Sequence, residues 1–153
     1  MTPDPDDSLT RYAAYATELA DAVDAALAGW VERSVRSVAA AQGLEVDESA
    51  LHTAAEAARA EGAERLRALL ATDIDEQAGS PLSILRSLVR YPTEVLRAAG
   101  ARPVHRDEFV VRSFPADVYD LSPAAFADVD PTLHEPGLAW GAAKAYIHLS
   151  RRR

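Results

Sequence analysis

The residues with the widest chemical repertoire in this 153-residue chain are its four histidines and the carboxylates near them. His52 and Glu56 are four positions apart, which on a helix puts both on one face, as an acid–base pair or a metal site requires. A metal held between helices needs a second pair at matching spacing, such as a repeated Glu-x-x-His, and the sequence contains none. His105, Asp107 and Glu108 form a second cluster and His134 with Glu135 a third; either could meet His148 only through the fold. His105, Asp107, His134 and Glu135 together define one alternative reading, a metal- or small-molecule-dependent enzyme. Asp73, Asp75 and Glu76 resemble the opening of a calcium loop, but the glycine and closing glutamate are wrongly placed. There is no Gly-rich phosphate loop, no Gly-x-Ser-x-Gly elbow and no His-Glu-x-x-His motif. The absence of cysteine removes disulfides, thiolate nucleophiles and cysteine metal sites. The balance favours a non-catalytic protein with no metal and no cofactor.

A second candidate is basic rather than catalytic. On a helix advancing about 100° per residue, Arg86, Arg90 and Arg97 fall within about 40° of one another, a stripe interrupted only by Glu94 at its edge. Tyr91, between Arg90 and Pro92, is the aromatic best placed to be exposed beside it. Arg86, Arg90, Tyr91 and Arg97 therefore form the expected partner-binding surface. The stripe can equally serve as a set of partners for acidic helices of the same chain. With Arg102, Arg106 and Arg112 it could also face phosphates, which gives a second alternative, a nucleic-acid-associated regulator. The formal net charge of -8 argues against that alternative and against anionic membranes. The charge is unevenly spread: residues 1–80 carry 16 acidic and 6 basic side chains, and residues 81–153 carry 8 and 10. Two such halves can satisfy each other within a chain or across a dimer.

The elements that must position these residues read as helices. Ala makes up roughly a fifth of the chain, which favours helix. Residues 1–7, rich in Pro and Asp, have nothing to bury and read as a disordered tail. From Ser8, a capping residue, apolar side chains recur at three- and four-residue steps through Leu9, Tyr12, Ala16, Leu19, Val23, Ala26 and Trp30, and continue to Val38. Gly29 is a possible early break and Gly43 the first good terminator. A second helix is expected from an Asp47 cap to about Gln77, with Ala54, Ala58, Gly62, Leu66, Leu70 and Ile74 in one line; its Ala and Gly part allows close backbone approach. The two make an antiparallel hairpin over 8–78.

Residues 80–100 carry a start signal in Ser80–Pro81 and a stop in Gly100, with Pro92 between them; a kink near Tyr91, or two abutting helices, is expected. Pro103 and Pro115 bound a segment containing Phe109, Val110, Val111 and Phe114, read as extended chain or an ordered loop wrapping the bundle, within an irregular stretch 101–135. Ser122–Pro123 starts a short helix through Val129, and Asp130–Pro131 begins another turn. The last helix, 136–150, is apolar nearly all round and is expected to be buried.

The fold class is accordingly all-α: one helical domain over 8–153, with a long antiparallel hairpin, a Pro-kinked third helix, an irregular Pro-rich segment and a buried C-terminal helix. The opening MTPDPDD lacks the basic-then-apolar order of a secretory signal, and no 18-residue apolar run occurs, so a cytoplasmic protein with no membrane contact is expected. A first helix of about 34 residues would span ~50 Å, longer than a compact domain of this size is wide. That excess motivates the functional expectation: a non-catalytic interaction or adaptor protein, acting as a homodimer through the arginine-bearing surface, with a further protein partner possible.

Overall fold

The structure, a computed structural model, describes residues 5–71 and 81–134, with side chains described for Ala14, 17–69 and 81–134. Its elements are α1 (Pro5–Gln42), α2 (Glu48–Ala71), α3 (Pro81–Ser87), α4 (Arg90–Ala98), α5 (Glu108–Ser113), α6 (Phe126–Val129) and a 3-10 turn, Pro131–Leu133. The fold is all-α, and no strand occurs among the described residues. The helix expected over 136–150, the Ser80 cap and the Asp73, Asp75 and Glu76 cluster lie outside them. Among the described residues no helix is long and apolar enough to cross a membrane.

α1 begins upstream of Ser8 and passes Gly29 without a break. At 38 residues and 1.5 Å per residue it is ~57 Å long. It stops at Gly43, whose φ of 64° is left-handed; there the Gly43 amide reaches the Ala40 carbonyl and the Leu44 amide the Ala39 carbonyl, at 3.3 and 2.9 Å. These paired bonds satisfy carbonyls the helix end would orphan, and a residue without a Cβ takes the required conformation at least cost. α2 starts where Asp47 Oδ1 accepts the Ser49 and Ala50 amides at 3.0 and 3.2 Å.

The hairpin is held by a buried stripe at four-residue spacing, Leu19, Val23, Leu27, Val31, Val35 and Ala39, facing Leu51, Ala55, Ala58, Leu66 and Leu69 of α2. Of the expected α2 line, Ala58, Gly62 and Leu66 are buried and Ala54 is half-buried. Leu27, absent from the expected α1 stripe, is fully buried at the tightest approach. A Cβ on Gly62 would sit 2.4 Å from Leu27 Cδ1 and 3.0 Å from Leu88 Cδ1. Outside this apolar contact Asp24 bridges the pair, accepting from Arg59 at 3.0 Å and Arg67 at 2.9 Å. At the hairpin's closed end Arg36 binds both Glu48 oxygens at 2.8 Å.

The stretch around Pro92 resolves as two abutting helices. Proline has no amide to give the carbonyl four residues back and its ring crowds that carbonyl; here it belongs to Leu88, which accepts the Tyr91 amide at 3.1 Å instead. The break therefore falls at Leu88–Val89, and Pro92 lies in the first turn of α4, where an amide would have no helical partner. α4 ends on Gly100, φ 82°, with the Ala101 amide on the Leu96 carbonyl at 3.0 Å. α4 packs across both arms of the hairpin through Val95 and Leu96, while Ile84 and Leu85 of α3 join the same core. The core closes with Tyr119, Leu121, Val129 and Leu133 from the chain after α4, which runs back along α1.

Gly62→Val tests the tight approach. Overpacking a site already filled by two buried leucine methyls costs about 1–3 kcal/mol, and the thermal midpoint is expected to fall accordingly; an unchanged midpoint would show that α1 and α2 have room to spare.

Candidate functional site

The break at Leu88–Val89 redistributes the arginines. Arg86 belongs to α3, whereas Arg90 and Arg97 belong to α4, so the three do not share one helical face. Arg86 is half-buried: its Nε donates to the Pro123 carbonyl at 3.1 Å, and its guanidinium lies 5.1 Å from the centroid of the Phe114 ring. Arg90 lies over the Tyr91 ring at 4.7 Å and pairs with Glu61 of α2. Glu61 also accepts the Tyr91 hydroxyl at 3.3 Å, so at Arg90 the arginines act as partners for an acidic helix. The Arg97 side chain is exposed and forms no hydrogen bond or ion pair with any described residue. Arg102 and Arg112 are exposed as well, whereas Arg106 turns inward and donates to the Phe114 carbonyl at 3.2 Å.

The segment 101–122 is an ordered wrap, and one part of it differs from expectation. Residues 108–113 are helical rather than extended, because Asp107 Oδ1 accepts the Phe109 amide at 2.8 Å and starts a helical turn. The β-branched and aromatic run suggests extended chain, but the local cap prevails. The wrap is tied down at both ends. The Gln42 side-chain amide makes two 2.8 Å bonds with the backbone N–H and C=O of Arg102. The Tyr119 hydroxyl donates to the Ala101 carbonyl at 2.8 Å, and the Val104 amide to the Val118 carbonyl at 3.0 Å. Residues 105–117 thus leave and return at one place, as a compact loop built around its own side chains does.

Asp117 braces the return. Its carboxylate is 2% exposed and accepts the Leu121 and Ser122 amides at 2.8 and 2.7 Å. That turn holds Asp120 at φ 58°, a conformation aspartate tolerates better than most residues. α6 and the following turn have their own acidic caps: Asp128 Oδ2 accepts the Ala124 and Ala125 amides at 2.8 and 3.0 Å, and Asp130 accepts the Thr132 amide at 2.9 Å.

This bracing presents an apolar tip. Among the described residues the exposed large hydrophobic side chains are Val104, Phe109 and Val111, and Phe109 is 70% exposed. The wrap itself matches the sequence reading, but the outward aim of Phe109 does not. The available signal is the Asp107 cap, which fixes the helical phase of Phe109, Val110 and Val111 and allows only Val110 to turn inward.

Two of the grooves along the hairpin are bounded by a third element. One, about 520 Å³, lies between α2 and α4: Ala50, Ala54 and Ala57 face Tyr91, Val95 and Ala98, with Asp47 and Glu94 exposed at its edge. It is the more apolar of the two. The other, about 550 Å³, lies between α1 and the wrap, where buried Trp30 is surrounded by Arg33, Ser34, Ser37, Gln42, Asp120 and Ser122. Arg33 and Gln42 are already committed to the backbone of Val129 and Arg102.

The histidines do not converge among the described residues. His52 and Glu56 are exposed on α2, and Glu56 pairs with Arg59 at 3.1 Å. His105 and His134 are exposed, and Asp107 is engaged in capping α5. Glu135 and His148 lie outside the described residues. Among those described, no group of three His, Asp or Glu side chains is placed to hold a metal ion.

No family model matches this chain, and no curated protein or solved structure does either.

Two outcomes follow from the carboxylates. Asp117→Ala strands two amides in a buried turn and is expected to destabilise the chain by ~2–3 kcal/mol, read as a lower denaturant midpoint; a change near zero would mean that the turn is not braced there. The Thr132 amide and hydroxyl hold the Asp130 carboxyl below the ordinary aspartate value, and the hydrogen bond from Arg36 does the same for Glu48. A carboxylate lowered in the folded chain stabilises it above the unfolded value and loses that contribution as pH falls through the folded one. Both contributions are then intact at neutral pH and disappear only below the ordinary carboxylate range. Carboxyl NMR titration should give midpoints below the ordinary values for both residues; a midpoint at or above them would contradict the contacts described.

Proposed function

We propose that this protein is a non-catalytic helical interaction protein that works as a homodimer. The observation that carries the reading is the placement of apolar surface. A chain that buries the leucines and valines of its hairpin leaves Phe109 uncovered on a braced loop, beside two exposed valines. An exposed large aromatic on a rigid support is the residue type and setting in which binding energy concentrates. The α2–α4 groove adds an apolar concavity on the same molecule.

The expected arginine surface enters this reading in modified form. Tyr91 lines the groove, and Arg97, on the same helix, keeps its charge free of described partners, so both suit a contact surface. Arg86 and Arg90 support it indirectly, the half-buried Arg86 by packing the wrap against α3 and the exposed Arg90 by its contacts with Tyr91 and Glu61. The length of α1 is a second support, because a rod of ~57 Å exceeds the width of a compact domain of this mass.

Sedimentation or light scattering tests the proposal. The expected result is a species of twice the chain mass that dissociates on dilution. A single-chain mass persisting to about 100 μM, a concentration at which an interface with a micromolar dissociation constant would be nearly saturated, would refute it.

A further inference from the structure

The proposed homodimer leaves open which surfaces meet, and the exposed tip and the α2–α4 groove offer each other an aromatic side chain and one pair of opposite charges. Phe109 projects from α5 with Arg112 three residues on, hence on the same side of that helical turn. The groove has a floor of alanines, which leaves room for a ring, and Tyr91 at its side offers an aromatic face. Glu94 stands exposed at its edge. Neither Arg112 nor Glu94 is in an ion pair with any described residue, whereas Arg36, Arg59, Arg65, Arg67 and Arg90 all are.

We infer that Phe109 of one copy seats in the α2–α4 groove of a second copy, with Arg112 facing Glu94 across the contact. The inference rests on the homodimer reading and goes beyond it by naming the two surfaces. Each chain carries both this tip and this groove. A two-fold axis exchanging them satisfies both at once and closes the assembly, whereas a one-way contact would leave a free tip and a free groove and add further copies. The tip cannot fill the groove of its own chain as it stands. Asp107 and Arg106 hold the loop by hydrogen bonds and Arg86 by its contact with the Phe114 ring, with Phe109 exposed.

The absence of cysteine makes a direct test clean. Phe109→Cys and Ala54→Cys, made as separate full-length variants, each carry a single thiol. Mixed and mildly oxidised, they are expected to form a disulfide joining the tip of one variant to the groove of the other, ahead of either like-with-like product. Phe109→Ala should weaken dimerisation about 10- to 100-fold, as loss of a central aromatic anchor does. Arg112→Glu should weaken it roughly 5-fold, as expected when a rim ion pair becomes a repulsion, and Glu94→Arg in the same chain should restore it. All these positions are exposed or groove-lining, and circular dichroism checks that each variant folds. A dimer that forms no mixed disulfide and is indifferent to Phe109→Ala would overturn this inference while leaving the homodimer standing. A wild-type chain that stays monomeric would overturn both.

Discussion

Everything in this molecule is arranged around the point where α2 can approach α1 most closely, at Gly62. A side chain there would meet Leu27 from one direction and Leu88 from another, so a single missing Cβ lets three segments share one contact. Leu88 is also the residue at which the following helices break. The close approach therefore fixes more than the hairpin spacing: it anchors the hinge between α3 and α4, and with it the tilt of α4 across the hairpin. Both walls of the α2–α4 groove follow from that tilt, since its alanines face the side of α4 that carries Tyr91 and Val95. Leucine burial supplies the driving force, but its absence of direction means that glycine and proline decide where the surfaces fall.

The same break decides what the arginines can do. Had the chain from Pro81 to Gly100 run as one helix, Arg86, Arg90 and Arg97 would have formed a continuous basic face. Pro92 prevents it, because the Leu88 carbonyl cannot be reached from the proline nitrogen and is taken by Tyr91. Arg86 is left to face the wrap, where it can stack on Phe114 and bind a backbone carbonyl; Arg90 faces α2 and meets Glu61. An arginine used in this way braces the structure rather than attracting a distant phosphate. Of the three, only Arg97 keeps an exposed side chain with no described partner, which suits a local, orientating role more than a long-range field.

Several helix ends were readable in the sequence because they are set by chemistry within a few residues, whereas α1 starts before the expected Ser8 cap and α6 starts at Phe126 rather than at Ser122–Pro123. Gly43 and Gly100 take the left-handed conformation, Asp47 and Asp130 accept amides two or three residues on, and Pro92 divides its stretch. The hairpin was legible because its apolar spacing repeats over many turns. The segment from Pro103 to Pro115 was read only in part. Its wrapping course followed from its composition, but Val110 and Val111 favour extended chain by propensity, and the Asp107 cap overrode them. The candidate surface was hardest to see, for a physical reason. Whether an arginine turns inward depends on what stands opposite, and Pro123, Phe114 and Glu61 are all remote in the chain from the arginines they meet. Phe109 posed the same problem in reverse, since an apolar residue in a wrapping segment normally has a core to enter.

That Phe109 does not enter it is best understood through the loop's own accounting of hydrogen bonds. Several of its backbone groups are paired locally or with the body of the protein: Asp107 caps its helix, Arg106 takes the Phe114 carbonyl, and Val104 pairs with Val118. Asp117 and Gln42 fix the two places where it joins the rest of the fold. A floppy loop with an apolar tip would fold the ring back against any available surface and lose little, because its backbone could follow. A loop tied by such bonds would have to break them to do so, at roughly 1 kcal/mol for each bond lost and more for any group left buried and unpaired. The ring is consequently held clear of the other described residues by polar contacts below it, and no described part of the chain can cover it without disturbing them.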